Sequence, residues 1–327
     1  MHMRLKGLLA ASGVAVLGLF GVAGPSAAAD YPSQPITVVV PFPPGGTSDL
    51  LARTMGKAMS ERLGVSVVIE NKGGGGTLIG SQYVARSKPD GYTVLLAATP
   101  HAINASLYKN IPYSAVKDFR TVAYLAELPL VVAVAKDSKI KSLKDLNQEI
   151  LEGKEETTYG SSGLGGTAHL ATELYLKAIG GHSTHVPYRG SNPAVMDLAA
   201  GRTTFVFDTL YLISSQVDAG RLRPLAQTGK TRHDLMADVP TMMEEGVPDY
   251  EVTSWFSLAV PSGTPEEAIA ALNKAANDAL NDPEVKEFLV AQGLSITGGS
   301  AEEGQARLLR EIDTWAKAVE VSGASVE

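Results

Sequence analysis

Residues 36–70 read ITVVVPFPPGGTSDLLARTMGKAMSERLGVSVVIE. Ile36 to Val40 is a short, β-branched apolar run, as expected of a strand covered on both faces. The period then changes. From Ser48 to Leu63 the residues Leu51, Met55, Ala58, Met59 and Leu63 recur at spacings of three and four, which predicts a helix, capped by Thr47 or Ser48 and closed by Gly64. Its Leu51, Met55 and Met59 face is expected to be core. Val65 to Glu70 returns to strand, Leu78 to Ser87 reads as a second helix and Tyr92 to Ala97 as a third strand. A strand that recurs after each helix requires a parallel sheet with crossover helices, hence an α/β fold.

The same alternation resumes downstream. Val122 to Leu125 and Leu130 to Ala135 read as extended segments leading out of the first unit, and a charged stretch from Lys136 to Glu156 follows. A new series then begins, with strands at Thr157 to Ser161, Thr184 to Val186, Thr203 to Phe207 and Leu222 to Gln227, and helices at Gly166 to Ile179 and Pro193 to Ala200. Ser254 to Val260 is extended again. Thr264-Pro265-Glu266-Glu267 then opens a helix with proline at its first position and acids in its first turn, and helices at Pro283 to Gln292 and Glu302 to Val321 end the chain. One α/β series inserted into another implies two lobes and two crossings, near Leu130 to Val134 and Phe256 to Val260. The expected division is residues 30–130 plus 257–327 for one lobe and 131–256 for the other.

Upstream, Arg4 and Lys6, an apolar run from Leu8 to Val22 and the small residues Ala27-Ala28-Ala29 read as a secretory leader over residues 1–29, cleaved near Asp30. Gly13, Gly18 and Gly21 interrupt the run, which falls short of the roughly 20 apolar residues of a membrane span. There is no cysteine, which excludes disulfides, thiol catalysis, cysteine-ligated metals and lipid attachment after the leader. About 298 residues remain after cleavage, enough for two domains without staples. Loss of Arg4 and Lys6 takes Lys+Arg from 28 to 26 against 35 Asp+Glu, a net charge of −9. No basic stripe stands out, so nucleic acid is not an expected partner. Any anion site must therefore be made locally, by backbone N–H groups and individual side chains.

Ligands of open parallel sheets sit beyond the carboxyl ends of the strands, and four loops here fit that place. In the first, Pro41 to Asp49, prolines stiffen the approach to Phe42, Gly45 and Gly46 let the backbone come close to a ligand, and Thr47 and Ser48 begin a helix with open N–H groups. Asp49 is a candidate for ligand contact, with capping or a cross-loop hydrogen bond at least as good a reading. The second loop carries Thr99 and His101. The third, Gly160 to Thr167, offers Ser161, Ser162, Gly163 and Thr167. The fourth, Val186 to Pro193, presents Arg189, Gly190 and Ser191, where a guanidinium can grip a carboxylate bidentately; a surface charge or a lobe-closing ion pair is the competing reading. Asp208, after its strand, can orient a ligand or accept its donor, with a structural role as the alternative.

Catalytic motifs are weak. Gly160-Ser161-Ser162-Gly163 lacks the spacing of a nucleophile elbow, Gly75 to Ser81 lacks the lysine of a phosphate loop, and His182 with His185 has no carboxylate to complete a metal set. No cofactor is expected, and His169 is the histidine to check for a hydrogen-bonding role.

A set of segments, in order along nearly the whole mature chain, carries a resemblance: Tyr31-Pro32 with Pro35-Ile36, Val40-Pro41-Phe42-Pro43-Pro44-Gly45-Gly46, Glu70-Asn71-Lys72-Gly73, Pro89-Asp90-Gly91-Tyr92-Thr93, Lys117-Asp118-Phe119, His185-Val186-Pro187-Tyr188-Arg189-Gly190, Phe207-Asp208-Thr209, Val239-Pro240-Thr241 and Ala259-Val260-Pro261-Ser262-Gly263-Thr264-Pro265. The sequence resembles the solute receptors of tripartite tricarboxylate transporters, the Bug family. It departs from them at Asn147 to Glu156 and in Gly73-Gly74-Gly75-Gly76-Thr77. The resemblance implies a type II periplasmic-binding-protein fold, two α/β lobes joined by a two-strand hinge and closing over a ligand. It also implies a non-enzymatic, periplasmic, monomeric receptor. Such a receptor captures a mono-, di- or tricarboxylate, partly through ordered water, on Phe42 to Asp49, Thr99, Ser161 to Gly163, Thr167 and Arg189 to Ser191. The implied partners are the small and large membrane permease subunits of a tripartite transporter. Two other readings stay open: a ligand-sensing receptor for a membrane sensor kinase, and an exported hydrolase, which needs a histidine near Ser161, Ser162 or Ser191.

Overall fold

The computed structural model describes residues 31–153 and 156–326; the expected leader, residues 1–29, lies outside them. The opening unit forms as β1 (Ile36–Val40), α1 (Thr47–Leu63), β2 (Val67–Asn71), α2 (Leu78–Ala85) and β3 (Thr93–Ala98), with β1 between β2 and β3 and parallel to both. Alternation along these strands divides two cores. Val38, Val40, Leu96 and Ala98 face Leu51, Met55 and Met59 of α1, while Val39, Leu95 and Ala97 join the opposite layer. Each of the three α1 side chains is 2 % exposed or less, a burial of about 1.5–3 kcal/mol apiece. Gly64 closes the helix in the left-handed region, its N–H on the Ser60 carbonyl at 3.0 Å.

Next come α3 (Pro100–Leu107), β4 (Phe119–Ala135), α4 (Leu143–Glu152), β5 (Thr158–Ser161), α5 (Thr167–Ile179), β6 (Thr184–Pro187), α6 (Ser191–Ala199), β7 (Phe205–Thr209), α7 (Leu210–Asp218), β8 (Leu222–Gln227), β9 (Thr253–Pro261), α8 (Glu266–Leu280), α9 (Pro283–Ala291), β10 (Ser295–Ile296) and α10 (Ala301–Ser322). Three helices were not read from the sequence. α3 begins on Pro100, whose missing N–H is harmless at a helix start, so the proline that suggested a loop initiates a helix. α4 sits inside the charged stretch: Ser142 and Asp145 form a reciprocal capping box, and Leu143, Leu146 and Ile150 make its buried stripe. α7 follows β7 without a loop.

The two extended segments expected around Leu125 and Leu130 are one 17-residue strand, β4. From Phe119 to Pro129 it pairs antiparallel with β9, and from Leu130 onward with β7 and β8. The order β2-β1-β3-β9-β4-β7-β5-β6 therefore passes through a single shared strand, with β8 and β10 also on β4. Thr228 braces the change of partner. Its hydroxyl receives the Leu130 N–H at 2.8 Å and donates to the Val252 carbonyl at 2.6 Å, while its own N–H donates to the Leu130 carbonyl at 2.9 Å. The curled sheet thus carries two α/β lobes, and in each the parallel strands end facing the other lobe's loops.

Candidate functional site

A cavity of about 110 Å³ lies where these strand ends meet. Phe42, Pro43, Pro44, Gly46, Thr47 and Ser48 form one wall; Ser162, Thr167, Ala168, Arg189 to Pro193, Asp208 and Thr209 form the facing one. Ala98, Leu130, Ser254 and Phe256 complete it from the strands between, with Pro100 at the start of α3. It is small beside the roughly 300–1,000 Å³ of pockets for drug-sized ligands but far above the roughly 10–15 Å³ that holds one water.

The rims of the two walls touch. The Asn192 amide donates to the Gly45 carbonyl at 3.1 Å, and the hydroxyls of Thr47 and Thr209 share a hydrogen bond at 2.9 Å. Two glycines permit the approach: a Cβ on Gly45 (φ +87) would lie 3.0 Å from the Asn192 amide nitrogen, and one on Gly190 (φ +109) 3.2 Å from Pro43 Cγ.

Five helices, α1, α3, α5, α6 and α7, begin on this wall, and none of their N-termini carries a side-chain cap. Of the helices that start elsewhere, α4, α9 and α10 are capped by Ser142, Asp282 and Ser300, while α2 and α8 are uncapped like the five on the wall. Uncapped leading N–H groups carry the positive end of each helix dipole and are left for a ligand. The expected cap from Thr47 or Ser48 does not form, because the helix already includes both and its N-cap position is Gly46, which has no side chain; the Thr47 hydroxyl is turned across to Thr209 instead. Arg189 adds an exposed guanidinium with no ion-pair partner among the described residues. Asp208 is 3 % exposed, and Thr209 donates to its Oδ1 through both N–H (2.7 Å) and hydroxyl (3.2 Å). Burial pushes its carboxyl up to about 6, against the lowering effect of the Ser191 and Thr209 donors.

Of the candidates read from sequence, Phe42, Gly46, Thr47, Ser48, Ser162, Thr167, Arg189, Gly190, Ser191 and Asp208 come together on the wall, and six stand behind it. Gly45 forms the rim contact. Asp49 takes the cross-loop role: it accepts from the Gly45 N–H, the Asn71 amide and Arg53 Nε, each at 3.0 Å. Burial alone would raise its pKa, but the hydrogen bonds from Arg53, Gly45 and Asn71 outweigh it and hold the carboxyl below its usual range. Thr99 is buried, its hydroxyl accepting the Trp255 N–H at 2.9 Å. His101 lies in the core between Tyr113 and Phe119, and burial pushes it down to about 4. Gly163 supplies a backbone turn and an N–H to Ser161 at 3.1 Å.

Ser161 and His185 bear on the hydrolase reading, because their Oγ and Nε2 are 2.6 Å apart. A serine thus has a histidine within reach. Yet Ser161 is 1 % exposed and off the cavity wall. His185 is stacked on Tyr159 and His169, and burial, then the neighbouring His169, push it down to about 3. A base that weak is poorly matched to neutral pH, and a nucleophile without access meets no substrate. The pair ties the end of β5 to β6. His169 does hydrogen-bond, its Nδ1 accepting the Gly165 N–H at 3.3 Å.

The wall residues not singled out from sequence include Ala168 and Thr209, each next to a candidate at a helix start, and otherwise fall into two groups. Pro43, Pro44, Ala98, Pro100, Asn192 and Pro193 lie in the loops that were identified, where only chain direction decides which side chains face inward. Leu130, Ser254 and Phe256 lie on strands and read as core; Ser254, polar within an apolar run, was the available signal.

Two α/β lobes meeting over a small cavity ringed by open helix N-termini define a solute-binding protein of the periplasmic two-lobed class. The model for the tripartite tricarboxylate transporter family receptor matches residues 51–321. Protein BugT of Bordetella pertussis is 35 % identical over 320 residues, covering 96 % of this chain and 98 % of BugT. Among solved structures, Rpa4515 of R. palustris with adipate is 37 % identical with a TM-score of 0.87, over 90 % of this chain and 99 % of that one. MatC of Rhodopseudomonas palustris with bound malate is 28 % identical with a TM-score of 0.85, over 88 % and 100 %. The chain belongs to the tripartite tricarboxylate transporter receptor family, as its sequence motifs implied, and is a solute-binding receptor.

Proposed function

We propose that this receptor is exported to the periplasm, captures a small carboxylate in the cavity between its lobes and delivers it, chemically unchanged, to the permease subunits of a tripartite transporter. The observation that carries this reading is the set of five uncapped helix N-termini converging on one cavity with Arg189, which has no ion-pair partner among the described residues. In a protein of net negative charge, that is a local device for holding an anion. Adipate in Rpa4515 and malate in MatC support the class of ligand. No helix among the described residues is long and apolar enough to cross a membrane.

The lobe division expected from the sequence, 30–130 with 257–327 against 131–256, is part of the proposal. Closure is favoured because the ligand touches both lobes. The test is a thermal-shift screen of the purified protein against mono-, di- and tricarboxylates, amino acids and neutral sugars. A carboxylate that raises the midpoint and is recovered intact supports the reading; a response confined to neutral sugars, or a ligand consumed on incubation, overturns it.

A further inference from the structure

Asp208 is an acid in a cavity otherwise arranged for an anion. Arg189 and Asp208 are the ionisable side chains on the wall, so with both charged they cancel. The elements around Asp208 bring it no cation. β4 contributes Leu130 and Val131, α6 contributes Ser191, and α7 begins with Thr209, which bonds to Thr47 of α1. Among the ionisable groups of those and adjoining elements, Asp49 is engaged with Arg53 and Asn71, Asp197 with Tyr188 and Arg202, Arg223 with the carbonyls of Ser138 and Ile140, and His169 with His185, while Asp218 stands at the far end of α7. Tyr211 of α7 packs against the α1 side of the core.

We propose that Asp208 is the proton site of the binding reaction, so that a carboxylate anion enters together with one proton and the neutral acid hydrogen-bonds to it. Two carboxylates sharing a small cavity disfavour each other's ionised forms. An arriving anion therefore raises the proton affinity of Asp208, and by linkage protonation of Asp208 raises affinity for the anion to the same degree. The proton is within reach near neutrality, since burial already pushes the carboxyl up to about 6. Oδ1 accepts from both Thr209 donors and Ser191 is a further donor to the carboxyl, so the proton is assigned to Oδ2, the oxygen that Thr209 does not hold. Atoms balance simply: one proton comes from solvent on binding and returns on release.

This inference rests on the carboxylate reading, and the test separates the two. Wild-type protein is titrated calorimetrically with adipate and with malate between about pH 6 and pH 8, in buffers of unlike ionisation heat, which yields net protons per ligand. The expected result is uptake approaching one proton at the upper end, with affinity falling by up to about tenfold per pH unit above about pH 6. Asp208→Asn, checked for fold by circular dichroism, should bind at the upper end about as tightly as wild type does at the lower, with no proton uptake. A wild-type affinity that stays flat with no proton uptake overturns the proposal. So does one that rises with pH. The wild-type titration needs no variant, so the proposal stands or falls on it even where Asp208→Asn folds poorly. If neither these acids nor any other carboxylate binds at any pH, it is the carboxylate reading itself that fails.

Discussion

Gly190→Ala tests whether the two rims meet in the bound state. Gly190 has φ +109 and ψ +167, a region that only glycine enters readily, and holding alanine there costs on the order of 1–3 kcal/mol whether the lobes are apart or together. The new Cβ adds a second cost only on closure, because it would lie 3.2 Å from Cγ of Pro43, a ring with little room to give. If relieving that contact costs roughly 1–2 kcal/mol, affinity falls about 5- to 30-fold. The control is Gly64→Ala: φ is +69 with nothing within 4 Å of the added Cβ, so it costs about 1–2 kcal/mol of stability and leaves affinity alone. Urea unfolding and calorimetric titration of both variants separate the terms. A Gly190→Ala protein that loses stability but binds as tightly as wild type would refute the closed-rim account.

Asp49→Ala removes the acceptor for the Gly45 N–H and should weaken binding several-fold through a looser first loop, read by titration. The folded-state pKa of Asp49 is lowered, so in wild type its contribution is present above the unfolded value of 3.8 and is lost as pH falls through the folded one; acid unfolding of the variant should therefore be less steep below about pH 4. Thr228→Val leaves the Leu130 N–H and the Val252 carbonyl without their hydroxyl partner and should cost about 1–3 kcal/mol in urea. Ser142→Ala opens the capping box of α4 and should cost about 1 kcal/mol with ligand affinity unchanged, since α4 starts away from the cavity.

The sequence made the fold legible where burial imposes a clean period. The β1 to β3 unit, α1 and the order of the second series are written in apolar runs bounded by glycine and proline. What it concealed were elements whose local signals conflict with the tertiary context. Pro100 initiates α3 although it looked like loop chemistry, the charges around α4 masked the Leu143, Leu146 and Ile150 stripe, and Glu127-Leu128-Pro129 looked like a break within what is a single strand. The loops that line the candidate cavity were legible, because strand ends followed by glycine and helix starts stand out in the sequence. Individual contacts were less so. Thr99, His101 and Ser161 lie in the right loops but point into the core or along the sheet, and no residue type announces that. Asp49 behaved as its alternative reading had it, because a buried carboxylate beside an arginine and free N–H groups finds local partners first.

The most direct measurement is calorimetric titration of wild type and Arg189→Ala with each carboxylate that shifts the midpoint, beside its neutral amide of the same length. The account predicts saturable binding of the acid, none of the amide, and a loss in Arg189→Ala of roughly 10- to 150-fold, the worth of a charge-assisted hydrogen bond at about 1.5–3 kcal/mol. Equal binding of acid and amide, with Arg189→Ala unchanged, would contradict it.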